Sequence, residues 1–207
     1  MVEILIFGSS TTYGKCDPNG GWAQRLRKYI DENAENIDSN SIFNLGISGD
    51  TTEELLRRFE FETKQRMKEG EEPIFIFLIG INDSQFLHDK QDTRVAPEKF
   101  RANLRNLLQM ARNFSPKIIF VGFQPVDESR TDPWRPGESY KMKYVEKYDE
   151  IVKEVCTETN THFVDILPIL KRNDYKRLLY DGVHLNSEGH QKVFELVRNF
   201  LSEHKFI

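Results

Sequence analysis

The sequence predicts a three-layer α/β sandwich built around a five-stranded parallel sheet. Five short apolar runs, rich in isoleucine, valine and phenylalanine and without polar alternation, are typical of strands buried on both faces. Five segments with helical periodicity alternate with these runs, which predicts right-handed crossovers and helices on both faces of the sheet. The 207 residues suffice for one well-buried core and are few for two. We therefore expect a single domain over residues 1–207.

Local patterns place the individual strands and helices. The predicted strands are residues 4–7, 42–45, 74–79, 118–121 and 163–164. The predicted helices carry apolar stripes over residues 22–30, 55–59, 100–111, 144–155 and 193–201. Thr51 and Glu54 form a capping box that opens the second helix, and Pro97 begins the third. Stripes of this kind indicate core packing rather than a cofactor site.

The composition argues against several kinds of partner. The chain has 29 lysines and arginines against 33 aspartates and glutamates, a net charge of −4 and no basic block, so we expect no nucleic acid binding. The opening apolar run, residues 4–7, is too short for a signal peptide or a membrane span. Cys16 and Cys156 lie far apart without metal-ligand spacing, which favours two reduced thiols over a disulfide. These observations predict a soluble cytoplasmic protein.

Four polar clusters are expected to share one edge of the sheet. Gly8–Ser10 follows the first predicted strand, residues 46–51 follow the second, and Gly80–Asp83 follows the third. The segment Asp181–His184 precedes the last helix and can fold over the same edge. Ligands of open parallel sheets bind outside the carboxyl ends of the strands, so this edge is the predicted site.

The residue types in these clusters match the requirements of acyl transfer. Ser10, on a tight turn between strand and helix, would be the nucleophile, and His184 would accept its proton. Asp181 would orient the imidazole ring and stabilise its charged form. A tetrahedral oxyanion needs converging donors, for which the candidates are the backbone N–H groups of Ser10 and Gly49 and the side-chain amide of Asn82.

The same four blocks resemble those of the GDSL, or SGNH, hydrolases, in order and over nearly the whole chain. They read Phe7-Gly8-Ser9-Ser10, Gly49, Gly80-Ile81-Asn82-Asp83 and Asp181-Gly182-Val183-His184. The resemblance implies a flavodoxin-like α/β/α fold and hydrolysis of esters or thioesters without a metal or cofactor. This chain departs from the family pattern at one point, because the family usually has aspartate before the nucleophilic serine and Ser9 stands there.

Some residues of these blocks have competing interpretations. The match of Gly8 and of the residues after it favours Ser10 over Ser9 as the nucleophile, and residues 48–51 favour Gly49 over Gly46 as the backbone donor. Asp83 is interpreted as structural, as a cap for the segment after it. His190, in the first turn of the last helix, is expected to be solvated rather than to bind a metal with Asp181 and His184.

Two polar excursions, residues 86–96 and 123–138, follow strand ends, where binding loops gather. The second contains four charged residues that argue against a long apolar groove, namely Glu128, Arg130, Asp132 and Arg135. Trp134 fits two interpretations equally, as the wall of an acyl or leaving-group pocket or as part of a packed loop or interface.

Three functions compete to explain the sequence. The leading one is a serine esterase that cleaves a small-molecule carboxylic ester or thioester through a Ser-His-Asp triad and an acyl-enzyme. The second is a flavodoxin-like module that binds a phosphate or nucleotide at residues 8–12, which leaves Asn82 and the Asp181–His184 pair unexplained. The third is a relative that has lost catalysis, against which the intact blocks argue. Lipid, sugar acetate, lysophospholipid and thioester substrates stay open, as does the oligomeric state.

Overall fold

The computed structural model describes residues 2–34, 40–68, 70–172 and 174–207. Its main sheet has five strands, namely β1 (Glu3–Gly8), β2 (Ser41–Gly46), β3 (Ile74–Leu78), β6 (Ile118–Val121) and β8 (His162–Val164). Their order across the sheet is β2-β1-β3-β6-β8, and every neighbouring pair is parallel. The order is that of flavodoxin-like sheets. The predicted fold class and all five predicted strands are confirmed.

The five long helices are the five predicted from the apolar stripes. They are α2 (Gly21–Glu32), α3 (Thr52–Lys64), α4 (Pro97–Arg112), α6 (Met142–Glu158) and α8 (Ser187–Glu203). Thr51 and Glu54 form the predicted capping box of α3, and Pro97 lies in the first turn of α4. The shorter helices are α1 (Ser10–Tyr13), α5 (Glu128–Thr131), α7 (Leu167–Leu170) and a 3₁₀ helix (Tyr175–Leu178). Within the described residues, none of the helices has the length and apolarity to span a bilayer.

Two separate apolar clusters cover the two faces of the sheet. Alternate strand residues point to opposite faces, so Leu5 and Phe7 belong to one cluster and Ile4 and Ile6 to the other. The first cluster includes apolar side chains of α3, α4 and α6, and the second includes those of α2 and α8. This division produces the three layers and leaves the carboxyl ends of the strands free for a site.

The edge strands depart from the expectation of burial on both faces. In β2, Asn44 is exposed and Phe43 is half-buried, whereas every residue of β1 and β3 is buried. The reason is position, because β2 and β8 each have a sheet neighbour on one side only. An apolar run predicts a strand but does not distinguish an edge strand from a central one.

The two excursions form a second, three-stranded antiparallel sheet, which the sequence did not predict. Its strands are β4 (Phe86–Leu87), β5 (Asp92–Thr93) and β7 (Glu138–Ser139), in the order β5-β4-β7. Strands of two residues are too short to show an alternating pattern. The first part of the second excursion, residues 123–127, is buried rather than exposed. The excursions therefore form an ordered wall beside the carboxyl edge of the main sheet.

A buried carboxyl group on α6 supports the segment that follows β6. Asp149 Oδ1 accepts a hydrogen bond from the Phe123 N–H at 2.7 Å. Burial raises the pKa of Asp149 from its usual 3.8 to about 7, with the Phe123 hydrogen bond acting in the opposite direction. Between about pH 4 and pH 7, the folded protein holds a proton that the unfolded chain releases, so the free energy of unfolding falls as pH rises through this window.

We expect Asp149→Asn to remove this part of the pH dependence. For the wild type it corresponds to a change of as much as about 4 kcal/mol in the free energy of unfolding. The amide oxygen can still accept from the Phe123 N–H but carries no charge at any pH. Urea unfolding at pH 4.5 and pH 8 measures the effect, with Asp31→Asn, a change in an ion pair on the surface of α2, as the control. A pH slope equal to that of the wild type would contradict the assignment to Asp149.

Candidate active site

Ser10 lies at the start of α1, immediately beyond the end of β1. The turn is tight, because a Cβ atom at Gly8 would overlap the Thr12 hydroxyl and the Leu78 carbonyl oxygen. Ser10 Oγ lies 3.1 Å from His184 Nε2. The Ser9 hydroxyl is buried and has no hydrogen-bond partner within the described residues. The structure thus brings Ser10, and not Ser9, to the histidine.

Asp181 and His184 lie in one turn and are hydrogen bonded to each other through both the ring and the backbone of His184. His184 Nδ1 lies 2.7 Å from Asp181 Oδ2, while Asp181 Oδ1 accepts the backbone N–H groups of Val183 at 3.1 Å and His184 at 2.8 Å. Burial of Asp181 raises its pKa, but the hydrogen bonds from the His184 ring and backbone outweigh this and lower it to about 2. The carboxylate is therefore ionised at neutral pH and oriented for the imidazole N–H.

Gln124, three residues beyond the end of β6, joins this turn to the serine helix. Its side chain is fully buried, and its Nε2 donates to Thr11 Oγ1 at 2.9 Å and to the Val183 carbonyl at 3.1 Å. The Asp127 N–H donates to the Gly182 carbonyl at 2.8 Å. No pattern in the sequence indicates this support, because Gln124 and Thr11 are 113 positions apart and Gln124 belongs to none of the four sequence blocks.

Asn82 is held so that one N–H of its amide remains available. Its Nδ2 donates to the Asp50 carbonyl at 2.8 Å, and its Oδ1 accepts from the Tyr140 hydroxyl at 2.8 Å. A primary amide has two N–H donors, so the second is free to face the site. In the part of the chain that the structure describes, the backbone N–H groups of Ser10 and Gly49 donate to no acceptor. Three donors are thus available around Ser10.

Gly49, rather than Gly46, lies at the site. Its φ is +92°, in the left-handed region, and an added Cβ would meet nothing within 4 Å. Gly46 belongs to β2, where a Cβ would overlap the Tyr13 backbone nitrogen. The open side of Gly49 faces a cavity of about 220 Å³ that Ser10 and His184 also line.

Most of the cavity wall is polar or charged, although, of the four charged residues that argue against a long apolar groove, only Arg135 is among the described lining residues. Besides Ser10, Gly49, Asn82 and His184, the described lining residues are Lys15, Ser48, Gln85, Arg94, Trp134, Arg135, Glu138 and Tyr140. Trp134 stands edge-on to His184 with ring centroids 6.0 Å apart, so it lines the pocket. Glu128, Arg130 and Asp132 bond instead to the Met142 N–H, the Tyr180 carbonyl and Lys141.

Asp83 and His190 both lie outside the cavity lining. The Asp83 carboxylate accepts the Thr52 N–H at the start of α3, so it caps a helix that precedes it in the chain. The expectation that His190 is solvated is wrong, since it is fully buried. Its Nε2 bonds to the Lys15 carbonyl at 3.3 Å, because this face of α8 packs inward.

One group of potential metal ligands occurs among the described residues. Cys16, Asp181 and His184 each place a ligand atom within 4.8 Å of the other two. Two of these three are already hydrogen bonded to each other, so a metal would have to displace the proton between them. Cys16 and Cys156 are both free thiols, as expected.

The contact between Tyr140 and Asn82 yields a prediction for a positioning residue. Burial raises the pKa of Tyr140, so its hydroxyl stays protonated and donates to the amide oxygen. Tyr140→Phe would remove one of the two hydrogen bonds that orient the amide, which we expect to lower kcat about 10-fold with little change in KM. The matched control is Tyr144→Phe, since Tyr144 stacks on Phe86 outside the cavity. A variant with unchanged kcat, or with raised KM alone, would contradict the role of Tyr140.

A parallel α/β sandwich with serine, histidine and aspartate hydrogen bonded in series at its carboxyl edge has the architecture of a serine hydrolase. The sequence profile of the GDSL-like Lipase/Acylhydrolase family matches residues 6–192, so the chain belongs to this family. It is therefore a carboxylic ester hydrolase. The resemblance found in the four sequence blocks is confirmed.

Two proteins with similar sequences are named as esterases. The acetylxylan esterase of Geobacillus stearothermophilus is 28% identical over 170 residues, which cover 78% of this chain and 71% of the relative. An isoamyl acetate-hydrolyzing esterase 1 homolog of Mus musculus is 22% identical over 205 residues, 93% of this chain and 78% of the relative.

Solved structures share the fold. The lipase/acylhydrolase from Enterococcus faecalis superposes with a TM-score of 0.79 at 21% identity, covering 99% of this chain and 97% of that one. The acetylxylan esterase Axe2 from Geobacillus stearothermophilus superposes with a TM-score of 0.72 at 22% identity, covering 98% of this chain and 93% of that one.

Proposed function

We propose that the protein hydrolyses esters of short acyl groups through an acyl-enzyme on Ser10. The observation that carries the proposal is the continuous series Ser10 Oγ, His184 Nε2, His184 Nδ1 and Asp181 Oδ2, with separations of 3.1 and 2.7 Å across the two hydrogen bonds. Catalytic mutants of the Axe2 esterase replace a serine, an aspartate and a histidine with alanine, the same three residue types.

In the acylation step, Ser10 Oγ attacks the ester carbonyl carbon while His184 Nε2 takes the hydroxyl proton. Asp181 holds the Nδ1–H and stabilises the imidazolium that forms. The carbonyl oxygen becomes an oxyanion that accepts from the backbone N–H groups of Ser10 and Gly49 and from Asn82 Nδ2. The tetrahedral intermediate collapses, the carbon–oxygen bond to the leaving group breaks, and His184 protonates the departing alkoxide oxygen, which leaves as the alcohol.

Deacylation repeats these proton transfers with water. His184 Nε2 removes a proton from a water molecule as its oxygen attacks the acyl carbon, and the same three N–H donors stabilise the second oxyanion. When this intermediate collapses, the bond to Ser10 Oγ breaks and His184 returns the proton to it. The products are the alcohol and the carboxylic acid, and the enzyme is restored.

The size and polarity of the cavity favour a short acyl group. Its volume of about 220 Å³ is below the range of roughly 300–1,000 Å³ usual for small-molecule pockets. Apart from the His184 ring, Trp134 and Tyr140 are the aromatic side chains among its described lining residues, which include no aliphatic side chain. The relatives named for acetylxylan and isoamyl acetate point in the same direction, so acetyl is the proposed acyl group.

A chain-length series of p-nitrophenyl esters tests the proposal. We expect kcat/KM to be highest for acetate and to fall as the acyl chain lengthens, and a serine-directed fluorophosphonate to label Ser10. A parallel assay with a panel of acetylated sugars would define the alcohol portion of the substrate. No hydrolysis and no labelling would overturn the esterase assignment, while thermal stabilisation by phosphate in that case would support the flavodoxin-like binding module.

A further inference from the structure

Three basic side chains border the cavity in front of Ser10. Lys15 follows α1, Arg94 follows β5, and Arg135 precedes β7, so three separate segments supply them. Lys15 is half-buried and both arginines are exposed. Among the described residues, none of the three side chains lies within ion-pair distance of a carboxylate. By contrast, lysines or arginines on α2, α3, α4 and α6 do form ion pairs.

The acidic side chain that lines the cavity neutralises only part of this charge. Glu138 Oε2 accepts a hydrogen bond from Gln85 Nε2 at 3.1 Å. The lining thus holds three positive charges against one negative, a local excess of two, in a chain whose net charge is −4. Because this local excess is positive while the whole protein is negative, the cavity lining attracts anions.

The two arginines have fixed neighbours beside the oxyanion donors. The Arg135 guanidinium lies 6.0 Å from the centre of the Trp134 ring, and Trp134 packs against His184. The Arg94 N–H donates to the Gln85 carbonyl at 2.7 Å, which anchors its backbone beside the cavity. Guanidinium groups bind carboxylate and phosphate oxygens through paired N–H donors, and exposed ones do so without a large desolvation cost.

We propose that the natural substrate is an ester that carries an anionic group, a carboxylate or a phosphate, which Arg94 and Arg135 bind with Lys15 as a further positive charge. This inference rests on the proposed esterase function and adds the charge of the substrate to it. Arg94 and Arg135 are then specificity-determining residues, while Ser10, His184 and Asp181 perform the chemistry.

A matched pair of acetate esters tests the inference. 4-Acetoxybenzoate carries a carboxylate and 4-acetoxybenzamide does not, and each kcat/KM is divided by the rate of hydroxide-catalysed hydrolysis of the same ester. We expect the wild type to favour the anionic ester by about 10-fold or more at low salt, and salt to reduce that preference. The Arg94→Gln/Arg135→Gln double variant should bring the ratio close to one, and adding Lys15→Gln should remove any remaining preference.

Arg105→Gln, which changes an exposed arginine paired with Glu158 on another face, should keep the wild-type ratio. A ratio near one in the wild type, or an unchanged ratio in the double variant, would overturn the anion site. Hydrolysis of neither ester, with p-nitrophenyl acetate also untouched, would instead overturn the esterase proposal. Inhibition by 4-hydroxybenzoate but not by 4-hydroxybenzamide gives a binding readout that supports the site independently of turnover.

Discussion

Replacing Ser10 with alanine is expected to lower kcat for p-nitrophenyl acetate by about 10⁴- to 10⁶-fold. The variant loses the hydroxyl that His184 Nε2 activates at 3.1 Å, so no acyl-enzyme can form. The backbone N–H of residue 10, Gly49 and Asn82 would still surround the carbonyl oxygen, which leaves a residual rate above that in water. Steady-state kinetics together with fluorophosphonate labelling measures the loss.

Ser9→Ala is the matched control for this experiment. The two serines are adjacent and both are buried, but Ser9 Oγ has no hydrogen-bond partner within the described part of the chain. Removing it therefore breaks no bond, and we expect turnover within a factor of about three of the wild type. If Ser9→Ala abolished turnover while Ser10→Ala retained it, the nucleophile would have to be reassigned to Ser9.

The arrangement of the candidate site could be predicted from the sequence because the topology of a parallel sheet is a strong constraint. Ser10 and His184 are 174 positions apart, yet their side chains meet at 3.1 Å. When the strands of a sheet are parallel, polar clusters that directly follow them must lie at the same edge of the sheet. This placement can be predicted without knowing the conformations of the loops. Asp181 and His184 are three residues apart, so a single turn joins them.

The supports of the site could not be predicted in this way. Tyr140 reaches Asn82 across 58 positions, and in the chain it follows a two-residue strand that has no periodic pattern. His190 is a polar residue, yet it is buried because this face of α8 packs toward α2 and the Lys15 carbonyl. For both residues, the contact that determines the environment of the side chain comes from tertiary packing, which the local sequence pattern does not show.

Asp181 has two functions in its turn that a single substitution can separate. Its Oδ1 accepts the Val183 and His184 backbone N–H groups, while its Oδ2 faces His184 Nδ1. The amide oxygen of an asparagine can still accept the two backbone N–H groups, but its NH₂ group takes the place of Oδ2. That donor favours the tautomer with the proton on Nε2, and a protonated Nε2 cannot accept the proton of Ser10.

We therefore expect Asp181→Asn to lower kcat by about 10⁴-fold while KM changes little and the fold is retained. The control is Asp165→Asn, which removes a carboxylate paired with Lys153 outside the cavity lining and should leave turnover unchanged. Turnover of Asp181→Asn within tenfold of the wild type would show that His184 is oriented without this carboxylate. A loss of thermal stability without a change in kcat would show that Asp181 only stabilises the turn, because the wrong tautomer of His184 would slow the chemical step.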